Sequence, residues 1–421
     1  MEIRFTNVNE NTGVKDLWTY CFADSKAYVD FYFKNKYKPE KTLVVEDSGR
    51  ILSAIHLNQH ELSLYGKNLD TSYIVGVSTL AEARGMGFMS DLMTRSLYEI
   101  AYMGQSFCIL MPIDHRLYRS YGFENSYDML EIDLNIFDLK KFKLEGTFKR
   151  ANEEYADDLL DIYLSSTTNY NGFDLRNKVY FSDFIEEMEL EGGYIYILYR
   201  DGQPRGYIAY SIDDGSLFAR EIYYKDMISY QSILKFIFNH NTQCKRVKIN
   251  TSIDDRLMDI LDNPKDASFM IKPFMMARIV DVENFLNDTA IKSAFSDGDS
   301  SYNDDMQSDF GVNIEIIDPV ISENNGIYRF GYESARLRAR KLDKFNPYDS
   351  HILASEGNEV KEDLEEEPIA DICLSINELT SLLFGYRTIE DICFIKGIVV
   401  SNNLKEIFNF KKKTNYINEY V

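Results

Sequence analysis

Only five cysteines occur in the 421 residues, and Cys21, Cys108, Cys244, Cys373 and Cys393 show no metal-ligand spacing. Three of them sit in apolar, strand-like runs and read as reduced core residues, the usage expected of a cytoplasmic protein. No apolar stretch is long enough to span a membrane, and Met1-Glu2-Ile3-Arg4-Phe5 opens as a strand rather than as an apolar signal region. Positive charge is also scarce. Against 68 Asp and Glu stand 46 Lys and Arg, a net charge of −22 with no dense basic stripe. That field repels phosphate backbones, so nucleic acid is excluded as a partner for the surface as a whole, whereas polyamines, polyamine-like drugs and lysine side chains are attracted. Acidity of this size also serves simply to keep a protein soluble. What is present in quantity is core material: 45% hydrophobic and 14% aromatic residues, in a chain long enough for two or three domains.

The most informative stretch runs from Tyr73 to Phe123. An apolar strand, Ile74-Val75-Gly76-Val77-Ser78, leads into Arg84-Gly85-Met86-Gly87-Phe88-Met89. Met89, Leu92, Met93, Leu97 and Ile100 then recur at helical spacing. A second apolar strand, Phe107 to Met111, precedes Tyr118-Arg119-Ser120-Tyr121-Gly122-Phe123. A glycine-containing turn between a strand and a helix N-terminus gathers backbone N–H groups around a concavity suited to phosphate. Gly85 and Gly87 let the backbone approach the anion, and Arg84 adds a charge-assisted contact. The pattern points to a pyrophosphate-bearing cosubstrate.

Two nucleotide loops are ruled out by residues that are missing. A dinucleotide fingerprint needs three spaced glycines near the first strand, and a nucleoside-triphosphate loop needs Gly-Lys-Ser/Thr, where this chain has Phe88-Met89-Ser90. What remains, Arg-x-x-Gly-x-(Gly/Ala), resembles the coenzyme A loop of the GNAT acetyltransferase superfamily. Arg84 and Gly87 match it; Met89 occupies a position usually small.

The chain repeats itself. Ile3-Arg4-Phe5 leads into a helical run from Val14 to Phe22, and Thr147-Phe148-Lys149-Arg150 leads similarly into Glu154 to Leu164. Each is followed by a hairpin with glycine at its turn, Leu43 to Ile51 and Ile195 to Tyr210. The second copy continues with a strand, Ala219 to Tyr223, and a helix from about Ser229 to Phe238. No glycine lies between them, so this copy is read as a structural duplicate without a cofactor loop. From about Asn284 the texture changes. Ser296 to Asp309 is an acidic stretch whose Asp297, Asp299 and Ser301 only echo a calcium loop, lacking its glycine and glutamate; it reads as a solvated linker. Val312 to Asp318 and Ile327 to Phe330 predict a hairpin turning at Asn324-Asn325-Gly326. A second acidic run, Glu356 to Glu367, reads as a loop. Ala370 to Ile376 predicts a strand, with a helix from Asn377 closed by Gly385.

The expected fold class is therefore α/β and α+β. Two tandem GNAT-like mixed-sheet modules, 1–143 and 144–285, precede an α+β domain, 286–421, resembling sterol carrier proteins. This plan is similar to the bacterial enhanced-intracellular-survival (Eis) acetyltransferases over essentially the full length, most specifically at Val77–Met89, Leu117–Phe123 and Ile369–Thr388. The resemblance implies acetylation of primary amines from acetyl-CoA, no metal, and a homo-oligomer, commonly a hexamer. It implies Val77, Ser78, Thr79, Arg84, Gly85, Met86, Gly87, Phe88 and Met89 as cosubstrate-binding residues. By position it implies Tyr118 as general acid and the terminal carboxylate of Val421 as general base. It also places Asp24, for a cationic amine, and Phe33, for the body of the acceptor, in the aromatic segment that covers the acceptor site.

The chemistry is consistent with those roles. Acetyl transfer needs a neutral amine, a donor for the developing oxyanion and a proton for the departing thiolate. Backbone N–H groups at Val77 and Ser78, where the strand would bulge, suit the oxyanion. A phenol of pKa about 10 is matched to a thiolate whose acid lies near ~8.5. Tyr121 rivals Tyr118 and is read as the packing aromatic beside Gly122. His115, flanked by Asp114 and Arg116, is read as an exposed helix-turn histidine, although it stands as a rival base. Glu82 lies within the loop itself. Two other classes stand beside this reading: a tandem-module transferase using aminoacyl transfer RNA, at odds with the net charge, and a non-catalytic carrier of apolar ligands or lipid through the third domain.

Overall fold

The computed structural model describes residues 1–294, 310–342, 368–410 and 414–420. Val421 and the two acidic stretches, 296–309 and 356–367, lie outside them.

The first part of the chain runs β1 (Glu2–Phe5), α1 (Asn11–Cys21), α2 (Lys26–Asn35), β2 (Thr42–Asp47), β3 (Arg50–Leu64), β4 (Lys67–Thr79), α3 (Phe88–Tyr102), β5 (Phe107–Leu110), α4 (His115–Arg119) and β6 (Glu124–Asn135). All four residues of β5 are buried, as a central strand covered on both faces requires. α3 buries Phe88, Leu92, Met93, Leu97 and Ile100, the stripe that its 3.6-residue period predicts. The second part repeats the plan with β7 (Thr147–Arg150), α5 (Ala156–Thr167), β8 (Phe173–Asp174), α6 (Lys178–Leu190), β9 (Tyr194–Arg200), β10 (Gln203–Asp213), β11 (Ser216–Tyr224), α7 (Met227–Phe238), β12 (Arg246–Thr251), α8 (Leu257–Ile260), β13 (Ser268–Ile279) and α9 (Val282–Asp288).

The two parts do not make separate sheets. One sheet runs in the order β1-β2-β3-β4-β5-β13-β6-β12-β11-β10-β9-β7. β13, from the second part, pairs with β5, and β6, from the first, pairs with β12. Each half is thus completed by a strand of the other, which joins their cores through continuous backbone hydrogen bonding. Periodicity alone carries no trace of this exchange, because a strand's pattern reports its faces and not its neighbours.

Within each half, two parallel strands pair briefly and then part. β4 pairs with β5 only from Ser72–Cys108 to Ile74–Leu110, while β4 itself continues along β3 to Thr79. β11 and β12 pair only from Ser216–Arg246 to Ala219–Ile249. The sheet therefore contains two forks.

The last part has β14 (Gly311–Ile317), β15 (Gly326–Glu333), β16 (Arg336–Lys341), β17 (Ile372–Ser375), α10 (Ile376–Leu383), α11 (Ile389–Lys396) and α12 (Asn402–Ile407), with sheet order β16-β15-β14-β17. The connection expected to be a tight turn at Asn324-Asn325-Gly326 is instead the loop 318–325. The reason is Asp318, which accepts hydrogen bonds from Val320 N–H, Ile321 N–H and Asn324 Nδ2 and so folds the loop around itself. α10 starts at a Ser375–Glu378 capping box, and Gly385 follows it at φ +70°. Asn377 Nδ2 donates to the carbonyls of Arg119 and Phe123, so this domain grips the turn after α4.

Candidate active site

At the first fork, β4 bulges. Val75 faces His56 and Ser78 faces Ala54, so Gly76 and Val77 together oppose Ile55. Gly76 has φ +59°, and a Cβ there would stand 2.5 Å from Cζ3 of Trp18. Glycine is required at this bulge on both counts. Past the bulge, Ser53 Oγ bonds the Ser78 carbonyl at 2.7 Å and the Thr79 hydroxyl at 2.8 Å, which fixes the arm of the fork.

The loop follows directly. Gly85 and Gly87 have φ +77° and +88°, and a Cβ on either would meet open space. Gly87 is the N-cap of α3. Among the described residues, nothing accepts a hydrogen bond from the N–H groups of Gly85, Met86 or Gly87. These donors and the positive end of the helix form a cradle that fits a pyrophosphate. Arg84 is exposed, and its Nε donates to the Thr79 carbonyl at 3.2 Å. Phe88 is buried, and Met89 packs partly against the core. Glu82 is exposed and paired with Arg50.

On the other side of the fork, β5 ends at Leu110 and α4 begins at His115, capped by Asp114, whose carboxylate accepts from Arg116 N–H at 2.9 Å. Tyr118 is 5% exposed and lies edge-on to Phe123, with centroids 6.3 Å apart. Burial raises its pKa, so the phenol stays protonated at neutral pH. Among the described residues its hydroxyl has no hydrogen-bond partner, whereas Tyr121 packs its ring partly against the core. His115 is half-buried rather than exposed, with Nε2 unpartnered.

Asp24 and Phe33 gather around Trp18. Asp24 is exposed and accepts from Trp18 Nε1 at 2.8 Å, while the Phe33 ring meets Trp18 edge-on at 6.0 Å. Trp18 also stacks on Tyr32 at 4.4 Å and touches the bulge. The structure thus links both residues to the fork through one indole. It places neither on the two cavities described next.

Sequence reasoning missed a row on β3: His56, Asn58 and His60, at every second position of the strand. That alternation was the available signal, since i, i+2, i+4 face one way. Burial drives His56 down to about 3, and its Nδ1 shares the Tyr32 hydroxyl (2.9 Å) with Asn58 Oδ1 (3.1 Å). Burial opposes charge on His60 too, but the Asp174 carboxylate at 2.8 Å outweighs it and raises the imidazole. Asn58 and His60 line a cavity of about 430 Å³ with Lys36, Tyr73, Asp183, Glu187, Glu419 and Tyr420. His60 also lines a second space of about 610 Å³ with Asp174, Arg176 and Tyr180. The final described residues, Glu419 and Tyr420, are therefore walls of the first cavity, which Tyr73 of β4 also lines, and Tyr73 donates to the Glu419 carbonyl at 3.4 Å.

The second half closes the corresponding helix end. Only Lys225 and Asp226 separate β11 from α7, and the Asp226 carboxylate caps the helix through Ser229 N–H at 2.8 Å while pairing with Arg200 at 2.6 Å. A carboxylate at that position excludes a phosphate. Among the described residues, no group of three or more His, Cys, Asp and Glu is disposed to hold a metal ion, and no helix is long and apolar enough to cross a membrane.

Family comparisons agree with this architecture. Residues 2–126 and residues 175–279 each match an acetyltransferase (GNAT) domain, and residues 292–416 match a sterol carrier protein domain. No curated protein sequence matches the chain. Among solved structures, a conserved protein of Enterococcus faecalis described as a probable N-acyltransferase superposes with TM-score 0.82 at 20% identity, covering 100% of this chain and 99% of its own. A GCN5-related N-acetyltransferase from Anabaena variabilis gives 0.77 at 17%, covering 100% of both chains. Eis1 from Mycobacterium abscessus gives 0.73 at 15%, again covering 100% of both. At these identities the likeness establishes the fold. The protein carries two GNAT acetyltransferase domains and a C-terminal sterol carrier domain, and it is an acyltransferase. GNAT domains use acetyl-CoA as cosubstrate and act on amine acceptors.

Proposed function

We propose that the protein is an Eis-type N-acetyltransferase that moves an acetyl group from acetyl-CoA to a primary amine: an aminoglycoside-like drug, a lysine side chain or a polyamine. One observation carries the reading. A single fork combines a bulged strand, an anion cradle and a buried phenol without a partner, and Tyr73, on the same strand just before the fork, lines a cavity bearing Asp183, Glu187 and Glu419. Acetyl-CoA supplies the activated acyl group. Arg84 and the Gly85–Met89 backbone, with Thr79 at the head of the loop, hold its pyrophosphate end. Val77 and Ser78 N–H groups receive the thioester oxygen as charge develops. As the new N–C bond forms and the C–S bond breaks, Tyr118 donates its proton to the leaving sulfur, and the Val421 carboxylate takes the proton lost by the nitrogen. Asp24 and Phe33, around Trp18, border the acceptor's approach.

The divisions 1–143, 144–285 and 286–421, a cytoplasmic location and a homo-hexamer belong to the same proposal. An amine panel scored by free thiol release from acetyl-CoA tests it. Cationic primary amines are expected to turn over and neutral or tertiary amines not to. Absence of thiol release with every primary amine would overturn the reading.

A further inference from the structure

The two forks correspond closely, and they differ in what they hold. In the first, pairing ends at Ile74–Leu110 and the bulge follows at Gly76–Val77. In the second, pairing ends at Ala219–Ile249 and the bulge follows at Arg220, between the Ala219–Tyr210 and Glu221–Ala209 pairs. The first residue beyond the pairing on one arm is Arg220, whose carbonyl accepts from Asn418 Nδ2 at 2.9 Å. The first beyond it on the other arm is Asn250, whose Nδ2 donates to the Tyr420 hydroxyl at 2.8 Å. Both arms therefore hold the end of the protein's own chain.

Arg176 locks it there. Its side chain has no exposed surface. Its Nε lies 2.9 Å from Glu419 Oε1, its Nη2 donates to the Asn418 carbonyl at 3.2 Å, and its Nη1 and Nη2 each lie 3.0 Å from an oxygen of Glu221. The Tyr180 hydroxyl donates to Glu419 Oε2 at 2.7 Å. Glu221 lies on β11 next to the bulge, so the fork's own strand supplies the second anion that a buried guanidinium needs. Asn415 pairs with Asn171, and Tyr416 packs between Tyr170 and Tyr223.

We infer that the fork of the second half, which lacks an anion cradle, is a socket for residues 415–420, and that Arg176 is the positioning residue whose grip on Glu419 and Asn418 sets Glu419 and Tyr420 as walls of the acceptor cavity. The socket stands on geometry alone; its effect on turnover rests on the amine-acetylation reading. A planar guanidinium reaches Glu221, Glu419 and a carbonyl at once, which the point charge of a lysine does not.

The test is amide hydrogen exchange read by mass spectrometry on the full-length protein, with Arg176→Lys beside wild type. The C-terminal peptide is expected to exchange faster by on the order of tenfold, with exchange across β4 and α3 and the affinity for coenzyme A unchanged. The value of kcat/KM for a turned-over amine is expected to fall with it. Asn250→Ala and Asn418→Ala each remove one bond at the fork and carry the same expectation at smaller size, which covers a failure of Arg176→Lys to fold. An unchanged tail in folded variants overturns the socket. A released tail with unchanged amine kinetics overturns the positioning role. If no amine is acetylated at all, the functional reading falls, and the exchange data still decide the socket.

Discussion

Arg278 Nη2 lies 2.7 Å from both carboxylate oxygens of Asp318, and neither side chain has exposed surface. The pair joins β13 of the shared sheet to the loop after β14, so the sterol carrier domain is fastened to the acetyltransferase sheet by a buried charge contact. Asp318→Ala removes the counter-charge as well as the acceptor that folds loop 318–325. Breaking one side of such a pair costs about 3–5 kcal/mol. Urea unfolding should show a loss of that size, with Asp318→Asn losing less because it still accepts hydrogen bonds.

Coenzyme A is expected to bind once per chain. Among the described residues the N–H groups of Gly85, Met86 and Gly87 before α3 have no acceptor, whereas Asp226 occupies the equivalent end of α7. Gly87→Glu should abolish binding, by forcing a side chain into φ +88° and placing a carboxylate at the cradle. Calorimetry giving two sites per chain would contradict this.

Tyr118→Phe should lower the acetylation rate by ~10²–10⁴-fold, the usual contribution of a general acid, with coenzyme A affinity nearly unchanged. Tyr121→Phe should do far less, because that ring packs partly against the core. Steady-state rates of the two variants decide between the tyrosines, and the reverse order would exchange their roles.

Extending the chain by a few residues beyond Val421 moves its carboxylate without altering any side chain. If that carboxylate is the base, the extended protein keeps its fold and coenzyme A binding and loses most of its turnover. Full activity would return attention to His115 or to the His60–Asp174 pair.

His56 predicts a pH dependence of stability. Its folded pKa is pushed by burial to about 3, below the ordinary value of 6.5, so between these values the unfolded chain binds the extra proton. Stability from this group is complete above pH 6.5 and falls as pH drops through the window, by up to ~1.4 kcal/mol for each pH unit. Denaturant midpoints from pH 4 to 7 should show a shallower fall in His56→Gln than in wild type.

Much of the fold is legible along the chain because its determinants are local. Apolar stripes of period 3.6 mark α3, Gly49 and Gly202 mark the two hairpins, and Gly85 and Gly87 mark a backbone that must turn left-handed next to an anion. The missing glycine between β11 and α7 likewise shows that the second half lacks a cradle. The walls of the two cavities were not legible in this way. His60 and Asp174 are 114 residues apart, and Arg176 and Glu419 are 243 apart. Their meeting depends on which strands become neighbours, and a strand's alternation names its buried face without naming its partner.

The sequence by itself determined the three-part plan and the glycine loop between β4 and α3, since each rests on residues close in the chain whose backbone needs are their own, and family resemblance put forward Tyr118 as the candidate acid. Only the tertiary structure decided that β6 and β13 change places, that Asp24 and Phe33 meet through Trp18, and that the second fork holds the tail. Those follow from packing between distant segments, where burial and the pairing of buried charges choose among arrangements that local preference leaves equal.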